Sequence, residues 1–317
     1  METVNIGGTN LPVSNIALGI MRMGTLSVEK STQALQAAHE AGINYIDSAD
    51  IYGNDPKLGR GSSEIHFGQA FKRSGLHRDD FFIQSKAGLF ANSDNKITRY
   101  DSSKDHLLKA VDGILQRMGI DYLDLLAIHR PDPLMEPDQI AEAFDYLEAS
   151  GKVRRFGVSN FNPQQIALLQ QAVNQRLLVD QVQFGLGHTG MIDFGLHTNM
   201  TDDGSVNHDG GLIEYTRLHH MTIQTWSPFQ YGTFAGTFIN NPNFPELNDL
   251  LSKLADKYQV SKNAIAVAWI LKHPAKMQVL IGTMNPDHIK DSAAGSEVTL
   301  TNQEWYDLYL AAGNTLP

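Results

Sequence analysis

The sequence contains no cysteine. Disulfide bonds and zinc or iron–sulfur sites built from cysteine thiolates are therefore excluded. It also has no apolar stretch as long as a membrane-spanning helix requires, and its N-terminus lacks the basic start and apolar run of a secretory signal peptide. We therefore expect a cytoplasmic protein that binds no membrane.

Basic residues are in the minority, with 25 Lys and Arg against 35 Asp and Glu and a formal net charge of −10. This balance opposes nucleic-acid binding but leaves room for a local basic pocket that binds a phosphate. Hydrophobic residues make up 42% of the 317 positions, enough for a large buried core. The length is normal for one barrel of eight βα units, so we expect residues 1–317 to form one domain.

Short strand-like runs alternate with helical patterns along most of the chain. Most of these runs are apolar on both faces, as expected for strands of a parallel sheet that helices cover. The predicted strands are Ile16–Gly19, Asn44–Asp47, Phe81–Lys86, Leu123–His129, Phe156–Val158, Asp180–Phe184, Thr222–Trp226 and Val279–Ile281.

The segments between these runs carry helix start signals. Asn162 with Gln165, and Thr301 with Glu304, have the spacing of capping boxes, the second opening a final helix through Leu310. We predict a single (β/α)8 TIM barrel with an N-terminal β-hairpin and an extra C-terminal helix. The alternative is a doubly wound open sheet, which ordinarily binds a dinucleotide at a Gly-x-Gly-x-x-Gly turn after its first strand. This chain has LGIMRMG there.

Residues 188–211 form a long, polar and glycine-rich segment after the sixth predicted strand. In a barrel, a segment in this position lies on the face that carries the active site. A lid over the site and a passive insertion are both open interpretations, and we expect the segment to help shape the pocket.

Four side chains that could take part in catalysis lie at or just after the ends of three neighbouring predicted strands. Asp47 ends the second strand and Tyr52 follows it, Lys86 ends the third, and His129 ends the fourth. Each alone has an ordinary explanation as a turn former, a loop aromatic, a solvated strand end or a structural histidine. Because active sites of barrels form at these strand ends, their joint placement favours a catalytic group.

The chemistry of the four residues is coherent. A tyrosine with a pKa of about 10 is a poor proton donor at neutral pH, and a nearby lysine cation is expected to lower that pKa. An aspartate would keep the lysine charged and fixed, and a histidine could orient a carbonyl oxygen. The set suits protonation of an oxygen while a hydride arrives at the adjacent carbon.

The chain resembles the aldo-keto reductase superfamily over nearly its whole length. The motifs that carry the resemblance are GINYIDSADIYG, SSEIHFGQAF, FFIQSKAG, YLDLLAIHRPDP, GKVRRFGVSNF, DQVQF, WSPF and VLIGTMNPDHI. Two of them, the HRPDP and GVSNF segments, look like a bacterial oxidoreductase branch of poorly defined substrate range. The resemblance implies NAD(P)H-dependent reduction of aldehydes or ketones, with Tyr52 as general acid, Lys86 and Asp47 as its tuning pair and His129 orienting the substrate.

The resemblance also implies a cofactor site. Ser159, Asn160 and Gln181 would hold the nicotinamide carboxamide, and Trp226 would stack on the ring. Further residues implied at the pocket are Met21, on the substrate side, and Arg22, Ser227, Phe229 and Gly232, on the cofactor side.

The phosphate end of this site departs from the family pattern. Asn285 is predicted to cap a helix whose N-terminus would attract a phosphate, next to Thr283. His288 stands where an arginine usually binds the 2′-phosphate of NADP. Two further departures are Gly282, in place of lysine, and Ser292, in place of asparagine; Lys290 is a candidate replacement cation. We expect NADPH, with NADH or dual use open.

Two other functions are compatible with parts of the sequence. Some barrels of this superfamily act as regulatory modules that sense nicotinamide redox state with little turnover. A metal-dependent barrel hydrolase or isomerase is the second, because His188, His197 and His208 fall in one loop, although no His-x-His strand or H-E-x-x-H helix accompanies them.

Overall fold

A computed structural model describes residues 1–232 and 235–317. Its centre is a closed barrel of eight parallel strands, each paired with the barrel strand that precedes it and the one that follows it along the chain. In chain order the strands are β1 (Thr3–Asn5), β2 (Pro12–Ser14), β3 (Ile16–Gly19), β4 (Tyr45–Asp47), β5 (Asn54–Asp55), β6 (Gly59–Arg60), β7 (Phe82–Ala87), β8 (Leu89–Ala91), β9 (Ile97–Tyr100), β10 (Leu125–Ile128), β11 (Phe156–Ser159), β12 (Leu177–Gln183), β13 (Thr222–Trp226) and β14 (Gln278–Ile281).

The predicted TIM barrel is confirmed, and each of the eight predicted strands corresponds to a barrel strand. The largest difference is β12, which begins at Leu177 rather than Asp180. Leu177 pairs with Phe156 on β11, and Val179 pairs with Thr222 on β13. These apolar residues therefore extend the strand toward its N-terminus. The closed barrel excludes the doubly wound open sheet.

The helices lie around the barrel. In chain order they are α1 (Val28–Glu40), α2 (Ser62–Ser74), α3 (Lys104–Met118), α4 (Pro137–Ala149), α5 (Pro163–Ala172), α6 (Gly190–Leu196), α7 (Leu212–Leu218), α8 (Pro245–Tyr258), α9 (Lys262–Leu271), α10 (Pro286–Ala293) and α11 (Asn302–Ala311). Both predicted capping boxes form, because the side chains of Asn162 and Thr301 accept from the backbone N–H of Gln165 and Glu304. No helix in the described ranges has the length and apolar character needed to cross a membrane.

The N-terminal hairpin closes one end of the barrel. Strands β1 and β2 are antiparallel, and Val4, Ile6 and Val13 join the apolar cluster that includes Tyr45 and Leu125 of the barrel strands. This packing fills the end of the barrel opposite the C-terminal ends of the strands. The predicted catalytic residues lie at the other end.

Candidate active site

A buried ion pair joins β4 to β7. Lys86 Nζ lies 2.6 Å from Asp47 Oδ1 and donates a second bond of 2.7 Å to the carbonyl oxygen of Ser48. Lys86 is fully buried and Asp47 is 3% exposed. Gln84 and Gln181 each donate a further 2.8 Å hydrogen bond to the same carboxylate oxygen. The aspartate is therefore held by three donors, and the lysine is fixed by two acceptors.

Tyr52 and His129 lie beside this pair. Lys86 Nζ is 5.2 Å from the centroid of the Tyr52 ring. The rings of Tyr52 and His129 meet edge to face, with centroids 5.7 Å apart and planes at 84°. The structure thus brings all four predicted catalytic side chains, from three strand ends, into one cluster.

The environment shifts the proton affinities of this cluster. Burial raises the pKa of Tyr52, and the Lys86 cation opposes that rise without reversing it. The expected net lowering is therefore wrong, because the phenol lies in a desolvated site. Burial lowers the pKa of His129 well below its ordinary value, and Lys86 and Arg130 lower it further. His129 is therefore neutral at pH 7, and within the described residues its Nδ1 has no hydrogen-bond partner.

A pocket of about 510 Å³ opens at the C-terminal ends of the barrel strands. Tyr52 and His129 line it, while Lys86 lies behind them without reaching its surface. The other predicted residues that line the pocket are Met21, Arg22, Asp47, Ser159, Asn160, Gln181, Trp226, Ser227, Phe229, Gly282, Thr283 and His288.

The residues predicted to hold the nicotinamide form a connected network. Asn160 has a left-handed backbone, with φ of 61°, and its Nδ2 donates to Ser159 Oγ at 2.8 Å. Ser159 Oγ in turn donates to the backbone carbonyl of Gln181 at 2.8 Å. The indole N–H of Trp226 donates to Asn160 Oδ1 at 3.2 Å, which fixes the orientation of its ring on the pocket wall.

The loop after β13 also carries an uncommon backbone. Ser227 has a φ of 51°, a conformation that L residues adopt mainly where surrounding contacts enforce it. A Cβ at Gly185 would lie 2.3 Å from the carbonyl oxygen of Pro228, so a neighbouring loop packs tightly against this one. Phe229 lines the pocket, whereas Gly232 does not.

The far end of the pocket contains an arginine anchored to the backbone and a histidine whose side chain has no hydrogen bond or ion pair among the described residues. Arg22 Nη1 donates to the carbonyl oxygen of Gly282 at 2.8 Å, and Thr283 and His288 complete this wall. Asn285 caps α10 through a bond to the N–H of Asp287, as predicted. The donor set suits the phosphates of a nicotinamide dinucleotide, because it combines a cation with a helix N-terminus.

Two residues considered for the cofactor lie apart from this wall. Ser292 is fully buried, and its hydroxyl donates to the carbonyl oxygen of His288 at 2.8 Å within α10. Lys290 does not line the pocket, and its Nζ pairs with Glu40 at 3.0 Å. A role for Lys290 as the replacement cation stays a prediction.

The segment 188–211 does not line the pocket, so the expectation that it helps to shape it is wrong. It packs instead on the C-terminal helix and tail. Tyr309 donates to Asp193 at 2.7 Å, Thr189 donates to Asn314 at 3.0 Å, and the ring of His197 bonds to the carbonyl oxygen of Thr315. In the described ranges no three side chains form a group that could hold a metal ion.

Residues 15–309 match the model of the Aldo/keto reductase family. The chain belongs to the aldo/keto reductase family. It is accordingly an NAD(P)-dependent oxidoreductase that acts on carbonyl groups.

Two bacterial relatives agree with this assignment. This aldo/keto reductase is 33% identical over 311 residues to a 6-dehydroglucose reductase from Agrobacterium fabrum, with 95% of both chains covered. It is 30% identical over 317 residues to oxidoreductase YdhF from Escherichia coli, with 98% of both chains covered. The predicted resemblance to a bacterial oxidoreductase branch is thus confirmed.

A solved structure shows the same fold. The aldo-keto reductase from Klebsiella pneumoniae in complex with NADPH superposes with a TM-score of 0.77 at 22% identity, covering 99% of this chain and 96% of that one.

Sequence reasoning missed two parts of the site of this aldo/keto reductase. One is Gln84, which donates a hydrogen bond to Asp47. It lies two positions before Lys86 and therefore on the same face of β7. Arg130 lines the pocket directly after His129, in the HRPDP motif. The strand-end rule that found His129 could have extended to its neighbour.

Proposed function

We propose that this protein reduces small aldehydes or ketones to alcohols, with NADPH as coenzyme and Tyr52 as the proton donor. The observation that carries the proposal is the placement of Tyr52 and His129 on the pocket wall above the buried Asp47–Lys86 pair. When bound, the coenzyme supplies the hydride. The protein's own residues orient the carbonyl and deliver the proton.

Each catalytic side chain has a defined task in this proposal. Tyr52 donates its phenolic proton to the carbonyl oxygen, and Lys86 stabilises the phenolate that remains. Asp47 keeps Lys86 charged, because its carboxylate offsets the cost of burying the cation. His129 is neutral, and with Nδ1 unprotonated its Nε2–H can donate to the same oxygen.

Side chains already on the pocket wall would hold the coenzyme. Ser159, Asn160 and Gln181 offer donors and acceptors to a carboxamide, and Trp226 offers a flat face. Arg22 and His288 stand at the opposite end. Of the two, Arg22 carries the permanent charge, and we propose NADPH as the preferred coenzyme, with measurable use of NADH.

The relative in Agrobacterium fabrum supports sugar aldehydes as a first substrate class to examine. We further propose that residues 1–317 act as one domain, and that the protein works in the cytoplasm, where reduced nicotinamide coenzymes are available.

The test follows absorbance loss of NADPH and, separately, NADH with a panel of aldehydes, ketones and dicarbonyls. Tyr52→Phe is compared with Tyr146→Phe, which makes the same change on the exposed face of α4. We expect turnover by wild type, a loss of at least about a hundredfold in kcat for Tyr52→Phe, and near wild-type rates for the control. Tight coenzyme binding without turnover of any carbonyl would contradict the proposal and favour the redox-sensing module.

A further inference from the structure

Arg130 is a cation on the pocket wall without an anionic partner. It follows His129 at the end of β10 and is partly exposed. Within residues 1–232 and 235–317 its guanidinium makes no ion pair within 4.0 Å and no hydrogen bond. Arg78 and Arg117, by contrast, pair with Asp124 and Glu64 at 2.6 and 2.8 Å.

The charge of Arg130 acts at the reacting end of the pocket. Arg130 directly follows His129 and lines the pocket together with His129 and Tyr52, the two side chains that would contact the carbonyl oxygen. Its charge opposes the burial-driven rise in the pKa of Tyr52 and adds to the lowering of the pKa of His129. Arg22, the other arginine on the pocket wall, lies by Gly282 toward the opposite end. Arg130 is therefore placed for a substrate group rather than for the coenzyme phosphates.

The pocket is positive although the chain is acidic. Among the described residues that line it, Asp47 is the single carboxylate, and that charge is already matched by Lys86. Arg22 and Arg130 add two further cations, against a formal net charge of −10 for the whole chain. A concave site of this sign concentrates anions, and a guanidinium fork matches carboxylate and phosphate oxygens.

We propose that Arg130 determines substrate specificity by binding an anionic group, a carboxylate or a phosphate, on the carbonyl compound that is reduced. This inference rests on the proposed function and narrows its substrate class to oxo acids and phosphorylated aldehydes. Hydroxylated aldehydes without a charge are then weaker substrates.

The test compares two matched substrate pairs with wild type, Arg130→Gln and Arg130→Lys at low ionic strength. Butanal against succinic semialdehyde exchanges a methyl group for a carboxylate, and glyceraldehyde against its 3-phosphate adds a phosphate. The readout is the ratio of kcat/KM for the anionic and neutral member of each pair. Because both values come from one enzyme, a general loss of activity cancels from this ratio.

We expect wild type to favour the anionic member of at least one pair by about tenfold or more, as for a charge-assisted hydrogen bond. Arg130→Gln should abolish that preference, and Arg130→Lys should retain part of it. Arg22→Gln removes the other cation of the pocket and should alter the KM for coenzyme while keeping the substrate ratio. The substrate pair that shows the preference identifies the anionic group as a carboxylate or a phosphate.

Two results would overturn the assignment of Arg130. One is equal use of both members of each pair by wild type, and the other is a preference that survives Arg130→Gln. Failure of the proposed function has a different signature, because wild type would then reduce neither the neutral nor the anionic compounds.

Discussion

The inner and outer faces of the barrel strands are buried to the same degree but are held together differently. On β13, Ile223 and Gln224 are neighbours, and both are fully buried. Ile223 belongs to the large apolar cluster between the strands and the helices. Gln224 faces the interior, where it hydrogen-bonds to side chains of four other strands.

The interior contacts form one chain of directional bonds. Gln278 donates to the carbonyl oxygen of Ser14 at 2.7 Å and accepts from Gln224 at 2.8 Å. Gln84 and Gln181 then connect Gln224 to Asp47. Apolar packing fixes volumes, whereas hydrogen bonds also fix angles. We infer that the apolar outer layer supplies most of the stability. The inner column, which consists of Gln84, Gln181, Gln224 and Gln278, fixes the orientation of the Asp47 carboxylate.

The largest expected effect comes from removing the charge of Lys86, which pairs with Asp47 at one end of the inner column. Lys86→Met leaves the Asp47 carboxylate buried without its cation, which should destabilise the protein by about 3–5 kcal/mol. Carbonyl reduction should fall by at least about a hundredfold, because Tyr52 loses the charge that stabilises its phenolate. Urea unfolding and single-turnover rates measure the two effects.

The matched control for this change is Lys104→Met. Lys104 pairs with Glu142 on the surface, and both side chains are exposed. The unfolding midpoint of Lys104→Met should stay close to that of wild type. Equal destabilisation by the two substitutions would remove the distinction between the buried and the exposed pair.

A smaller effect is expected from breaking the inner column in its neutral part. Gln224→Leu keeps a similar volume but removes the donor to the Gln278 side-chain oxygen and one of the two acceptors of the Gln84 amide, which should cost about 2–3 kcal/mol. Ile223→Val on the outer face removes one methyl group and should cost about 0.5–1.5 kcal/mol. Only the first should lower kcat, because only it connects to Asp47. A lower kcat in Ile223→Val as well would contradict the proposed difference between the inner and outer faces.

Part of this difference between the outer and inner faces of the strands could be predicted from the sequence. The strands Ile16–Gly19 and Thr222–Trp226 were predicted with their observed bounds. The four candidate catalytic residues were expected to lie together because strand ends in a barrel converge. Their convergence depends on the topology of the backbone more than on side-chain detail.

The polar interior was not predicted, since barrel interiors are dominated by branched apolar residues. A lone glutamine such as Gln84 or Gln278 in an apolar run indicates a strand but not its partners, which come from distant positions. Ser292 was placed at the cofactor by its sequence position, yet the buried face of α10 holds it. Burial of a helix face depends on packing that the local pattern does not contain.

A pH-dependent prediction concerns a buried carboxyl group on the outer face of the barrel strands. Asp180 on β12 is fully buried, and neither carboxylate oxygen has a hydrogen-bond partner among the described residues. Burial raises its pKa to about 8. The folded protein therefore holds a proton that the unfolded chain releases above about pH 4, and the free energy of unfolding should fall as pH rises from about 4 to about 8.

Replacing Asp180 with asparagine removes this contribution. Relative to wild type, the variant should gain stability as the pH rises from about 5 to about 8, by at most about 4 kcal/mol, measured by urea unfolding at both values. Asp124→Asn is the opposite control, because Asp124 pairs with Arg78 at 2.6 Å and its loss should destabilise at both pH values. A constant difference between Asp180→Asn and wild type would show that Asp180 is ionised throughout.

Closure of the barrel has a consequence for synthesis of the chain. Strand β3 pairs on one edge with β14, where Ile16 meets Val279 and Leu18 meets Ile281, and the Gln278 bond to Ser14 joins positions 264 residues apart. A ribosome adds about 5–20 residues per second, so the free edge of β3 waits on the order of ten seconds or more for its partner. An unpaired edge is a template for association with other chains. Synthesis of β14, rather than emergence of the first strands, therefore sets the moment at which the barrel can close and the candidate site can form.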